Sequence, residues 1–294
     1  MLDCENKRFL VAGATGYLGR YLVKELKRRG AWVRTLIRKE EQKELFDCID
    51  DWYLADAVQA PDLGAAVAGM DWVISTVGIT RQREGFSYMD VDYGANFKLL
   101  QAAIAAKVLG FQYVSAIHGD QHRELKIFEA KERFVDQLKA SGLKYSIIRP
   151  NGFFSDMHDF LHMAQQGRVF LFGKGDFKLN PIHGEDLARY CVDQILAGVA
   201  EASVGGPDIL TQNEIASLAL AASNRPIRII HLPDWIRKAV LWGARTFTSS
   251  KTYGPIEFFL TMMAEDTVAD PYGRHHLKDF FLAESGQNKD RRSV

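Results

Sequence analysis

Two hydrophobic periods take turns along this chain. Short apolar runs, Phe9-Leu10-Val11 within Arg8–Ala12 and nearly every residue of Trp72–Val77, read as strands buried on both faces. Leu18, Leu22 and Leu26 fall on one face of a helix over Tyr17–Arg29, which Gly30 stops. The same reading gives strands at Trp32–Ile37, Trp52–Ala55, Gln112–Ile117 and Lys144–Arg149. Helices fall at Lys39–Phe46, Leu63–Ala68, Tyr93–Val108 and Lys126–Ser141. Strand–helix alternation with short connections predicts an α/β fold, a parallel sheet with helices on both faces.

The first connection carries the chain's most specific signal. Strand one ends in Gly13-x-x-Gly16-x-x-Gly19 and a helical pattern follows at once. Glycines at such a turn let the backbone approach a pyrophosphate, and the helix N-terminus offers it N–H groups and a positive dipole end. The fold class is therefore a Rossmann-type, doubly wound sheet. Ligands of such sheets bind outside the carboxyl ends of the strands, here Gly13–Gly19, Arg38, Asp56, Thr76–Gly78, Ser115–His118 and Pro150–Phe153.

After residue 150 the alternation loosens. Helices are expected at Phe154–Gln166 and Leu187–Leu196, strands at Arg168–Phe172 and Pro226–Leu232. Thr211-Gln-Asn-Glu214 is a capping box that opens a helix over Ile215–Ala222. Residues 233–264 read as helical and aromatic-rich, and the polar tail after Ser285 as disordered. The expected division is a nucleotide-binding domain over 1–232, with 151–185 on its substrate side, and a small C-terminal helical cap with a polar tail over 233–294. In Trp235–Phe247 the expectation is a cap helix with Trp235, Val240 and Leu241 turned inward. The alternative is an amphipathic surface helix that meets a membrane or an apolar substrate source.

Composition narrows the class further. The 294 residues are 47% hydrophobic and 25% charged, ordinary for a globular chain. Lys+Arg and Asp+Glu both number 37, which gives no basic excess for nucleic acid. Cys4, Cys48 and Cys191 lack metal or redox spacing and read as three reduced thiols. No metal site is expected. No apolar run reaches the ~18 residues of a membrane span, and the first strand starts too early to leave room for a signal peptide. The expected location is cytoplasmic, with peripheral membrane contact and a protein partner left open.

The chain resembles the atypical, NmrA-like short-chain dehydrogenase/reductases. The resemblance rests on the glycine turn, Val33-Arg-Thr-Leu-Ile-Arg38, Asp56-Ala-Val58, Val73-Ile-Ser-Thr-Val-Gly78, Tyr113-Val-Ser-Ala116 and Lys131-Glu132. It continues through Gly142–Pro150, Pro181-Ile-His-Gly-Glu-Asp-Leu-Ala188 and Gly205-Gly-Pro-Asp208. It implies an NAD(P)-binding domain in which Thr15, Gly16, Tyr17 and Leu18 touch the pyrophosphate and ribose. Asp56 and Ala57 would flank the adenine. Thr76, Val77 and Gly78 would line the adenine ribose and approach the nicotinamide side, and Pro150, Asn151, Gly152 and Phe153 would lie beside the nicotinamide. NAD-specific sites place a carboxylate at the end of strand two. Arg38-Lys39 stands there instead and suits a 2′-phosphate, so the expected cofactor is NADP(H).

The family's usual Tyr-x-x-x-Lys pair is incomplete: Ile127 stands four residues before Lys131. What remains, Phe128-x-x-Lys131, resembles the isoflavone and pinoresinol reductase branch, where the lysine is the proposed proton-transfer group. The resemblance implies that Lys131 contacts the nicotinamide ribose. A lysine near a cationic ring and apolar walls is expected to have a lowered pKa. Its helix also reads as a solvated charged face. Ser115 either touches substrate or satisfies a strand end. His118 is the titratable candidate beside it, or an ordinary loop histidine, and His183 reads as structural. Two functions follow. One is an NADPH-dependent reductase of a hydrophobic or aromatic small molecule, with an enone, quinone or imine-like acceptor. Phe153, Phe154, Trp235 and Trp242 are its aromatic pocket candidates. The other is a non-catalytic NADP(H)-binding sensor or assembly protein.

Overall fold

The computed structural model describes residues 4–80 and 85–290, with side chains through residue 286. Its central sheet has seven strands: β1 (Arg8–Ala12), β2 (Trp32–Ile37), β3 (Asp51–Leu54), β4 (Trp72–Ser75), β5 (Gly110–Val114), β6 (Lys144–Pro150) and β9 (Glu201–Val204). Their order is β3-β2-β1-β4-β5-β6-β9, so the direction of winding reverses between β1 and β4. β1 pairs in parallel register with both neighbours, Leu10 lying opposite Arg34 and Val73. β9 has no apolar run, and its polar Glu-Ala-Ser-Val hides it from a hydrophobicity reading. It is recruited by backbone pairing, as Ile147 N–H donates to the Ala200 carbonyl at 2.8 Å and Asn151 N–H to the Val204 carbonyl at 2.9 Å.

The chain forms two compact units that interleave in sequence. The first is Met1–Arg149 with Leu187–Ala202, the second Pro150–Asp186 with Ser203–Val294. In the first unit, α3 (Asn96–Ala105) and α4 (Lys126–Ala140) cover one face of the sheet. Leu10, Val73, Phe111 and Ile147 from the strands pack with Leu99, Phe134 and Leu138 from these helices. The helix expected over Tyr93–Val108 begins instead as a π-helical segment, Met89–Ala95, before α3. Such wide turns carry an extra residue and re-aim side chains.

In the second unit, α5 (His158–Gln165) and α7 (Gln212–Ala222) build a core of Phe160, Leu161, Ile215 and Ala219. Thr211 caps α7 as the sequence pattern predicts, with its hydroxyl accepting from Glu214 N–H. His183 stacks on His275 with ring centroids 4.1 Å apart, and His275 Nδ1 lies 3.0 Å from buried Asp186. That packing agrees with a structural His183. The tail differs from its expectation. α10 (Leu277–Asp290) is helical past Ser285, anchored by buried Leu277 and Phe281. Residues 291–294 lie outside the described residues. The inward cap helix is also corrected: in α8 (Asp234–Phe247) no residue is buried, and Trp235 and Val240 are exposed. No helix among the described residues is long and apolar enough to cross a membrane.

α1 (Tyr17–Arg28) ends in an ion-pair knot. Buried Glu25 binds Arg28 at 2.7 Å and Arg29 at 2.6 Å, and Arg29 also reaches Asp193 at 2.7 Å. Burial opposes the Glu25 charge, yet the two guanidiniums outweigh it and hold the carboxyl below its ordinary 4.5. Stability from such a depressed carboxylate is complete above 4.5 and is lost as pH falls through the folded-state value. Glu25→Gln is expected to cost about 2 kcal/mol at neutral pH. Urea unfolding at stepped pH checks this, and the gap between variant and parent should close in acid.

Candidate functional site

The site begins at the β1–α1 turn. Gly13 sits at φ +77°, and a Cβ there would lie 2.5 Å from Thr76 Oγ1. A Cβ on Gly19 would collide with the Gly13 carbonyl and with Ala14, so this glycine sets the close approach of α1 to the strand. Gly16 N–H closes the turn on the Gly13 carbonyl at 3.0 Å. Helix α1 then starts with no side-chain cap and no acidic residue in its first turn. An uncapped helix start of this kind suits an anionic ligand.

A cavity of about 340 Å³ opens beside this turn at the carboxyl ends of β1, β2 and β4. Gly13, Thr15 and Gly16 form one wall, Arg38, Asp56 and Ala57 a second, and Thr76, Val77 and Gly78 a third. Nine of the predicted cofactor residues thus meet around one space. Leu36, Ala55, Val58, Ile79, Phe86 and Val91 complete the lining and were not foreseen. They are apolar residues in strand ends, in loops and, for Val91, in the π-helical segment, where no polar motif marks them. Tyr17, Leu18, Gly19 and Lys39 are not in the lining. Leu18 and Gly19 are buried under the turn, and Tyr17 meets Tyr21 edge-on at 5.4 Å.

Local hydrogen bonds fix the second wall. Gln42 Oε1 accepts from the backbone N–H groups of Arg38 at 2.9 Å and Lys39 at 3.1 Å, which sets where β2 leaves the sheet. Asp56 Oδ1 accepts from Val58 N–H at 2.8 Å, an Asx-type turn. Lys98 Nζ, from α3, donates to the Val58 and Ala60 carbonyls at 2.6 and 3.0 Å and ties that loop down.

Behind the third wall lies a buried ion pair. Lys131 Nζ is 2.8 Å from Asp92 Oδ1, with side-chain exposures of 11% and 0%. A Cβ built on Gly78 would be 2.6 Å from Asp92 Oδ1 and 2.9 Å from Lys131 Nζ, so a side chain here would have to displace this pair. Asp92 Oδ2 also accepts from Ile79 N–H at 3.2 Å. One turn on, Asn96 Nδ2 donates to the Val77 carbonyl at 3.0 Å. The Lys131 ammonium lies 5.6 Å from the centre of the Tyr113 ring. Burial disfavours the ammonium, but Asp92 and then Tyr113 outweigh it, and the Lys131 pKa is raised. That direction is the reverse of the expected one, because a carboxylate faces the lysine. Complete burial raises Asp92, and Lys131 offsets part of the rise. Burial pushes the Tyr113 hydroxyl up as well.

The other predicted groups are engaged elsewhere. Ser115 Oγ donates to Glu132 Oε1 at 2.8 Å, and Glu132 binds Arg149 at 2.6 Å, all three being buried. His118 lies in a tight turn at φ +58°, its ring centroid 6.5 Å from that of His122. Pro150, Asn151, Gly152 and Phe153 belong to the second unit. There Asn151 Nδ2 donates to Asn180 Oδ1 at 2.8 Å, and Gly152 accepts from Ile182 N–H at 2.8 Å.

A glycine cradle, an uncapped helix start and a basic strand end fit a dinucleotide. Comparison with known proteins agrees. Residues 13–197 match the family model described as NAD(P)H-binding. The chain belongs to the NAD(P)H-binding family. It is 31% identical to a divinyl chlorophyllide a 8-vinyl-reductase of maize, over 95% of this chain and 80% of that protein. It is 32% identical to the rice (subspecies indica) protein of the same name, over 79% and 63%. Among solved structures, an NADPH-dependent quinone oxidoreductase from Escherichia coli, complexed with NADPH, superposes with a TM-score of 0.68. That match covers 95% of this chain and 99% of the other at 15% identity, which shows a shared fold.

Removing one member of a buried ion pair strands the other charge. Asp92→Asn is expected to cost about 3–5 kcal/mol in urea unfolding. The double variant Asp92→Asn/Lys131→Met should recover a large part of that loss, and additive costs would show that the two charges are uncoupled.

Proposed function

We propose that this protein is an NADPH-dependent reductase of an apolar or aromatic small molecule whose reducible group is conjugated, such as an enone, a quinone or an imine. The observation that carries the reading is the ammonium held behind Gly78, next to the dinucleotide cavity that Lys131 itself does not line. When bound, the nicotinamide supplies hydride. The Gly13–Gly16 turn and the start of α1 would hold the pyrophosphate, and Arg38, whose backbone N–H is held by Gln42, would supply a guanidinium for the 2′-phosphate. Lys131 stays protonated at neutral pH because Asp92 faces it. Its part is to present positive charge, from behind Gly78, where negative charge develops on the acceptor. It is not a base. An acceptor would gain hydride at one atom of its reducible group and a proton, supplied by water, at the other end of that group. The names of the maize and rice relatives and of the Escherichia coli enzyme, a vinyl reductase and a quinone oxidoreductase, support an acceptor of this class.

The second reading is a nucleotide-binding sensor or assembly protein without turnover. It is favoured by Ser115, whose hydroxyl is committed to Glu132, and by Lys131, whose proton Asp92 holds back.

Two measurements separate the readings. In fluorescence titration the protein should bind NADPH more tightly than NADH. Arg38→Ala should weaken NADPH about tenfold or more, roughly 1.4 kcal/mol, and leave NADH unchanged. In an acceptor screen followed by loss of reduced nicotinamide, quinones and enones should support oxidation. Lys131→Met should lower kcat/KM on the order of a hundredfold with NADPH affinity within a few-fold of the parent. Tight NADPH binding with no oxidation by any acceptor would move the assignment to the sensor.

A further inference from the structure

α8 is fastened to its own unit by its charged side. Arg237 Nη1 donates to the Leu260 carbonyl in α9 (Ser250–Met262) at 3.3 Å, and Arg245 pairs with Glu257 of the same helix. The opposite side faces solvent and is apolar. Trp235, Ala239, Trp242 and Thr246 follow one line down the helix at three- and four-residue spacing, with Val240 and Phe247 beside them. Trp235 is 67% exposed, Trp242 66% and Phe247 77%. Trp242 and Phe247 meet edge-on at 6.0 Å, so the rings form a surface cluster. This inverts the usual polarity of a surface helix, whose apolar stripe faces the core.

The charge around this face points to one kind of occupant. The whole chain is neutral, yet residues 234–251 hold Arg237, Lys238, Arg245 and Lys251 against the single carboxylate Asp234. Lys238, 3.3 Å from Asp234, and Arg245, paired with Glu257, still keep more than half of their side-chain surface exposed beside the aromatic line. Exposed tryptophans flanked by long basic side chains match an interface of acyl chains and anionic headgroups, with rings at the boundary and cations at the phosphates.

We infer that α8 docks this protein on the surface of a bilayer containing anionic lipids, with Trp235, Trp242 and Phe247 entering the headgroup boundary. The inference is independent of whether the protein turns over a substrate.

Vesicle flotation tests it, using phosphatidylcholine alone and phosphatidylcholine mixed with phosphatidylglycerol. The full-length protein should float with the anionic vesicles and show a blue shift of tryptophan emission. Binding should fall about tenfold on neutral vesicles or in high salt. The triple variant Trp235→Ser/Trp242→Ser/Phe247→Ser should lose flotation by a similar factor while keeping the parent's melting temperature, since the three side chains are exposed. A parent that stays in the soluble fraction with every composition would overturn the inference. So would gel filtration in which the parent is a dimer, the triple variant a monomer and neither floats, since a second copy would then cover this face.

Discussion

The Lys131–Asp92 pair constrains everything around the cavity. Two opposite charges taken out of water are tolerable only when each is closely satisfied, since a lone buried charge costs several kcal/mol. Asp92 meets that demand by pairing with the ammonium through Oδ1 and accepting from Ile79 N–H through Oδ2, and the latter bond ties down the loop that follows β4. Glycine after Val77 leaves the pair undisturbed, because a side chain there would push against both charged groups. The π-helical segment Met89–Ala95 follows from the same demand. It delivers Asp92 to the lysine and leaves Asn96, one turn on, to hold the Val77 carbonyl.

A second buried set stands beside the first and shares its helix. Glu132, next to Lys131 in α4, takes Ser115 Oγ and Arg149, while Arg149 also reaches Glu201 at 3.0 Å. Consecutive residues of one helix thus anchor the ends of β5 and β6 and fix the pair behind Gly78. Chemistry follows from this arrangement. A lysine opposed by a carboxylate keeps its proton, so in the proposed reaction it would contribute charge and leave proton transfer to solvent.

Much of the fold was legible because its signals are local. The β1–glycine–α1 unit shows in the alternation and in glycines whose geometry allows no other residue, and strand ends followed from the winding rule. Arg38, Asp56 and Thr76–Gly78 were found that way. The ion pair was not, because its members are 39 residues apart and each looks solvated in its own neighbourhood. Glu129-Ala-Lys-Glu-Arg133 reads as a charged surface, yet Lys131 and Glu132 are both buried. The clue available was Asp92 itself, a carboxylate between Val91 and Tyr93 in a mixed apolar segment. α8 shows a different limit. Periodicity groups Trp235 with Trp242 but does not say which way the group turns. β9 shows a third, since an edge strand formed by backbone pairing needs no apolar run.

The central claim is that Lys131 is a fixed cation held by Asp92. Its most direct test is the pH titration of Lys131 followed by NMR in protein carrying isotope-labelled lysine, with Lys131→Met to assign the signal. The account predicts a resonance that stays protonated through the ordinary lysine value of 10.5 and moves to lower pH in Asp92→Asn. A Lys131 that loses its proton near neutral pH in the parent protein would contradict it and restore the lysine as an acid–base group.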